Sequence, residues 1–202
     1  DGFRFDGITS MVYTHHGLGR QFCSYADYFR DVDSDALAYL ALANALIHRL
    51  HPGAVSVAED VSGMPALTAP AGQGGCDFDY RLAMGIPDYW VESLKYRDED
   101  RNMDALFHRV TEHRPEEAVI NYAESHDQAI VGGKSLMFEM VDAAMYTGMH
   151  RGTQDLRVER GVALHKMIRL ATIAGGGAGY LNFIGNEFGH PEWVDFPRPG
   201  ND

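Results

Sequence analysis

The polar and acidic runs that could carry chemistry in this chain gather after its short apolar stretches. Gly2-Phe3-Arg4-Phe5 leads into Asp6, and Ala54–Ala58 (AVSVA) into Glu59-Asp60. Val119–Ala123 (VINYA) leads into Glu124-Ser125-His126-Asp127, and Tyr180–Ile184 into Gly185-Asn186-Glu187. Phe78–Met84 reads as a further strand. Between these stretches lie segments of helical period. The clearest is 35–50, where Ala36, Leu40, Ala43, Ile47 and Leu50 fall on one stripe. Asp33 or Ser34 can cap it and Pro52-Gly53 stops it. Further helices are predicted from Pro87 to about Tyr96, from an Asn102 cap to about Glu112, and over 135–146 and 159–173. The last carries Leu164, Met167, Ile168 and Ala171 on one face. Residues 8–32 show no sustained period and are predicted as a long loop.

Short apolar strands alternating with amphipathic helices imply an α/β fold with a parallel sheet. Functional groups confined to the strands' carboxyl ends suit a (β/α)8 TIM barrel. A doubly wound sheet also binds ligands at that edge. The Gly175-Gly176-Gly177 run, however, ends a helix and precedes a strand, the reverse of a dinucleotide fingerprint. A full barrel takes about 250 residues, and only five strands are legible in 202 residues. The chain reads as strands 4 to 8 of a barrel, a fragment of one catalytic domain spanning 1–202.

The net charge of −12, from 29 acids against 17 Lys plus Arg, argues against nucleic acid and phosphate-rich surfaces. A neutral substrate fits better. No apolar run is long enough for a membrane span. Cys23 and Cys76 make no disulfide framework, which suits a reducing compartment. The adjacent His15-His16 lacks the i, i+4 spacing of helical metal ligands, so no metal is implied.

Alternate residues of a strand face opposite ways, so Phe3 and Phe5 share one side and Arg4 and Asp6 the other. Such a pair is either a structural salt bridge at a strand end or a carboxylate held for chemistry by a guanidinium. No Ser or Cys nucleophile is apparent. Two or three convergent carboxylates suit glycoside chemistry, with one as nucleophile and one as acid. Arg4 favours the ionised form of Asp6. Glu59, leaving an apolar strand with no adjacent cation, is expected to hold its proton to higher pH. Asp127 would be a second anion. Retaining chemistry calls for Asp6 and Glu59 carboxyls about 5–5.5 Å apart. Carboxylates at strand ends also serve simply as helix N-caps, and that reading stays open on pattern alone.

Three of these stretches resemble known signatures. Gly2-Phe3-Arg4-Phe5-Asp6, Ala58-Glu59-Asp60-Val61-Ser62-Gly63 and Glu124-Ser125-His126-Asp127 resemble the second, third and fourth signature regions of the α-amylase superfamily of glycoside hydrolases. The strings AEDVSGMPAL, FDYRLAM, YAESHDQA, LHKMIRL and YLNFIGNEFGHPEWVDFPR are similar to the 1,4-α-glucan branching enzymes. The resemblance implies Asp6 as nucleophile, Glu59 as general acid/base and Asp127 as transition-state stabiliser. Arg4 would orient Asp6, and His126 would bind the sugar. It implies transfer of an α-1,4-glucan chain to a 6-hydroxyl, with no cofactor. The setting would be the cytoplasm, or a plastid for a plant parent. An α-amylase-type hydrolase and an inert glucan-binding fragment are the rival readings. Tyr13, Tyr80, Tyr122 and Trp193 are candidate stacking platforms. The family's first signature region is absent, and 147–160 is its least family-like part. The fragment alone is expected to be inactive, because part of the barrel is missing.

Overall fold

The computed structural model describes residues 1–131, 133–192 and 199–200. Its strands are β1 (Gly2–Phe5), β2 (Val55–Ala58), β3 (Tyr80–Leu82), β4 (Val119–Asn121) and β5 (Gly179–Tyr180). Its helices are α1 (Ile8–Val12), α2 (Ser34–Leu50), α3 (Gly85–Ser93), α4 (Met103–Thr111), α5 (Leu136–Val141) and α6 (Leu156–Ala174). The fold is α/β, with strand order β1-β2-β3-β4-β5. β1–β2, β2–β3 and β3–β4 pair in parallel. The described strands show no reversal of order, which a doubly wound sheet requires. The chain divides into two compact units.

The first unit comprises Asp1–Met84 and His113–Ile120. Its core gathers Ile8, Val12, Tyr13, Leu40, Ala58, Leu67 and Phe78. Residues 8–32 correct the expected long loop. Gly7, at φ 59°, turns the chain straight into α1, a conformation that glycine adopts without Cβ strain. Ile8, Thr9 and Val12 are buried there. A 3₁₀ turn follows at Tyr25–Phe29. Both elements span five residues, too short for a helical period to register in sequence.

Asp33 caps α2, its carboxylate accepting from Asp35 N and Ala36 N. The buried stripe of α2 is narrower than expected. Ala36 and Leu40 are buried, but the third position is Asn44, whose Nδ2 donates to Cys76 O at 2.7 Å. Leu42, Leu46 and Leu50 are exposed. β1 also departs from expectation, since Phe3 is 53% exposed while Phe5 packs edge-on to Phe78.

The second unit comprises Gly85–Glu112 and Asn121–Asp202. Leu181 N donates to Asn121 O, which joins β5 to the end of β4. Asn102 caps α4 as expected, accepting from Ala105 N. α3 starts at Gly85, so Pro87 lies inside its first turn rather than opening it. The predicted 135–146 helix is α5 followed by a 3₁₀ turn, Asp142–Tyr146.

α6 buries Gly161, His165, Ile168 and Thr172, while Met167 is 64% exposed. At Thr172 the reason is directional bonding. Trp90 Nε1 donates to Thr172 Oγ1 at 2.9 Å, and Asn121 Nδ2 donates to Thr172 O at 3.2 Å. Gly161 lies so near Val141 that a Cβ there would sit 2.6 Å from Val141 Cγ1. These contacts turn the helix about its axis relative to its most apolar face.

Burial pushes His165 down to about 4 from 6.5. The unfolded chain therefore binds a proton that the folded chain refuses, and stability is lost as pH falls from 6.5 towards 4. The slope from this group reaches at most about 1.4 kcal/mol per pH unit. Urea unfolding of wild type and His165→Leu across this window should show that slope in the wild-type chain and not in the variant.

Candidate active site

The acid pair is set by strand register. β1 and β2 run in parallel with Phe5 opposite Ala58, so the next residues, Asp6 and Glu59, leave the sheet side by side. The backbone secures this exit, with Glu59 N donating to Phe5 O and Ile8 N donating to Glu59 O, each at 3.0 Å. Arg4 belongs to both acids. Its Nη2 hydrogen bonds Glu59 Oε2 and lies 3.5 Å from Asp6 Oδ1. Arg4 was expected to serve Asp6 and to leave Glu59 without a cation. The structure reverses that emphasis, because the register puts Glu59 within reach of Arg4.

Glu59 nevertheless keeps its proton as the sequence led us to expect. Its pKa is raised to about 7 by burial, by the hydrogen bond with Asp6 and by the Asp6 charge, which together outweigh Arg4. Its side chain is 14% exposed, whereas that of Asp6 is 84% exposed. One carboxyl is therefore withdrawn and proton-retaining, and the other is open to an incoming group.

His126 and Asp127 follow β4 in the second unit. His126 Nε2 lies 3.3 Å from Asp127 Oδ1. Ser125 Oγ donates to Asp127 Oδ2 at 3.3 Å and accepts from Asp127 N at 3.2 Å. Asp127 opens a π-helical turn, Asp127–Val131. Such turns recur at functional sites because they re-aim side chains.

Glu124, which the sequence reading passed over, anchors this segment. It is 1% exposed. Its carboxylate accepts from Leu136 N at the start of α5 and from Asn186 Nδ2, each at 2.7 Å. Burial raises its pKa. The available signal was an acid placed inside a strand-end run that otherwise turns polar only one residue later.

The stacking candidates fare unevenly. Tyr13 is fully buried, with its hydroxyl donating to Tyr28 O, and Tyr122 is buried as well. Neither presents a face to a sugar ring. Tyr80 is half-buried, and Trp193 lies outside the described residues.

Curated relatives match all or nearly all of the chain. The 1,4-alpha-glucan-branching enzyme of Felis catus is 60% identical over 205 residues, covering 100% of this chain and 29% of its own length. That of Dictyostelium discoideum is 58% identical over 204 residues, covering 100% and 30%. The Arabidopsis thaliana 1,4-alpha-glucan-branching enzyme 2-2, chloroplastic/amyloplastic, is 56% identical over 202 residues, covering 98% and 25%. By sequence, the chain is similar to one segment of the 1,4-alpha-glucan-branching enzymes. It spans less than a third of the length of these branching-enzyme relatives. No family model matches it.

At the exits of β1 and β2 the geometry brings two carboxyls and one guanidinium together. Carbon-detected carboxyl titration should give Glu59 a midpoint near 7. That midpoint should fall in Asp6→Asn, which removes two raising influences, and rise in Arg4→Met, which removes the opposing cation.

Proposed function

We propose that this chain carries the nucleophile and the acid/base of a glucan-branching transglycosylase. One observation supports it above the others. A carboxyl that holds its proton to about pH 7 sits beside a second, exposed carboxyl, with one guanidinium touching both. Environments that push paired carboxyls apart in this way assign the acid and the nucleophile. Neighbouring exits from paired parallel strands suit the short carboxyl spacing of a retaining pair rather than the wider spacing of an inverting one.

In this reading, Asp6 attacks the anomeric carbon of an α-1,4-glucan while Glu59 protonates the departing glycosidic oxygen. The products are a covalent glucosyl-enzyme and a freed chain end. Glu59, now a carboxylate, takes the proton of an acceptor 6-hydroxyl, whose oxygen displaces Asp6. An α-1,6 branch results and both groups return to their starting forms. Asp127 stabilises the oxocarbenium-like transition state, His126 binds the sugar, and Arg4 orients the acid pair. Transfer outruns hydrolysis when the acceptor is held in place, since positioning supplies effective molarities on the order of 10⁵ M or more.

The strands would form part of a (β/α)8 barrel. The substrate would be glycogen in a cytoplasmic parent, or starch in a plastid one. No helix among the described residues is long and apolar enough to cross a membrane.

The test uses a full-length branching enzyme carrying this chain as its matched segment. Glu59→Gln and Asp6→Asn should each lower branching by at least roughly 10²-fold, with glucan affinity kept. Branching is read by loss of iodine stain without matching new reducing ends. Turnover retained in either variant overturns the roles. Reducing ends equal to bonds cut would instead point to a hydrolase.

A further inference from the structure

Directly behind the acid pair lies a buried charged cluster that the proposed reaction does not use. Asp60, the residue after Glu59, has a fully buried side chain. Its Oδ1 accepts from Thr9 Oγ1 at 2.5 Å and from Ser62 Oγ at 2.7 Å and Ser62 N at 3.2 Å. Its Oδ2 accepts from Gly63 N at 3.0 Å, Met64 N at 3.1 Å and Arg81 Nη2 at 2.7 Å. Arg81 is itself buried, and its Nη1 donates to Met64 O at 2.9 Å and to the Glu117 carboxylate at 3.0 and 3.1 Å.

Charges are costly to bury, and an apolar cluster of the same volume is often no less stable. Stability alone is therefore a weak reason for this arrangement. What a saturated polar network adds is direction. Here the direction joins two particular segments. Thr9 lies three residues beyond Asp6, on the helix that Gly7 opens. Asp60 adjoins Glu59. The Thr9 hydroxyl donates to Asp60 and accepts from Val61 N and Ser62 N at 3.0 and 3.2 Å. The chain that carries one acid is thus stapled, side chain to side chain, to the chain that carries the other.

We propose that Thr9, Asp60 and Arg81 are positioning residues that fix the spacing of Asp6 and Glu59, with Arg81 holding the Asp60 carboxylate and Thr9 linking it to the Asp6 segment. This rests on the functional reading above. If the staple loosens, Glu59 loses part of its burial and of its hydrogen bond to Asp6. The charged groups facing Glu59 are Arg4 and Asp6, so Glu59 then ionises at lower pH.

The experiment compares Thr9→Val, Thr9→Ser and Arg81→Lys in the full-length branching enzyme carrying this chain. Thr9→Val keeps shape and removes only the hydroxyl. Its kcat should fall roughly 10-fold or more, the scale of small misplacements at a reacting centre, with KM within about 2-fold. The alkaline limb of its kcat/KM profile should move to lower pH. Thr9→Ser should restore both. Arg81→Lys should fall further, because a compact ammonium lacks the planar fork whose two Nη atoms reach Asp60 and Glu117 separately. Should Arg81→Lys fail to fold, the Thr9 pair decides. Wild-type kinetics in folded Thr9→Val overturn the proposal. So does a loss of activity with an unmoved alkaline limb and no rescue by serine, since that marks a purely structural role. A Glu59→Gln control separates the two levels. Turnover in that control sinks the site reading itself, whereas an inactive control with an unaffected Thr9→Val sinks only the positioning claim.

Discussion

The parallel pairing of β1 with β2 is the constraint from which the candidate site follows. With Phe5 opposite Ala58, two acids 53 positions apart in sequence, Asp6 and Glu59, must emerge side by side. A one-residue slip would send their side chains to opposite faces. Two carboxyls and a single guanidinium in one spot cannot all be charged at low cost. The withdrawn partner, Glu59, holds its proton to higher pH than a free glutamate. The two carboxyls thus differ in surroundings, one withdrawn and one open to solvent.

Both units add buried polar groups to the apolar packing around the candidate segments. In the first, Asp60 and Arg81 sit where a core would usually place aliphatic side chains. In the second, Glu124 ties the end of β4 to α5 and to Asn186, and Thr172 fixes the rotation of α6. Apolar contacts are non-directional and tolerate small rotations. Hydrogen bonds to ionised groups do not. Where side chains are to be held to within fractions of an ångström, the second kind of contact serves even where the first would be as stable.

The same economy of polar contacts explains where periodicity misled. α2 and α6 each expose large apolar residues of the expected stripe, Leu50 and Met167. In each helix a polar residue takes a buried position because it has a specific partner: Asn44 on Cys76 O, and Thr172 on Trp90. A pattern that counts apolar residues has no means of weighing a partner that lies far along the chain.

What the sequence settled by itself was the alternation of strands and helices, the caps at Asp33 and Asn102, and the clustering of acids after the strands. All of these depend on neighbours within a few positions. Its motifs also singled out Arg4, Asp6, Glu59, His126 and Asp127. Tertiary structure alone decided that Arg4 grips Glu59 as well as facing Asp6, that Tyr13 and Tyr122 belong to the interior, and that Thr9, Asp60, Arg81 and Glu117 form one network. Those outcomes turn on strand register and on contacts between residues tens of positions apart. Chain connectivity leaves such distances free until the sheet pairs and closes them.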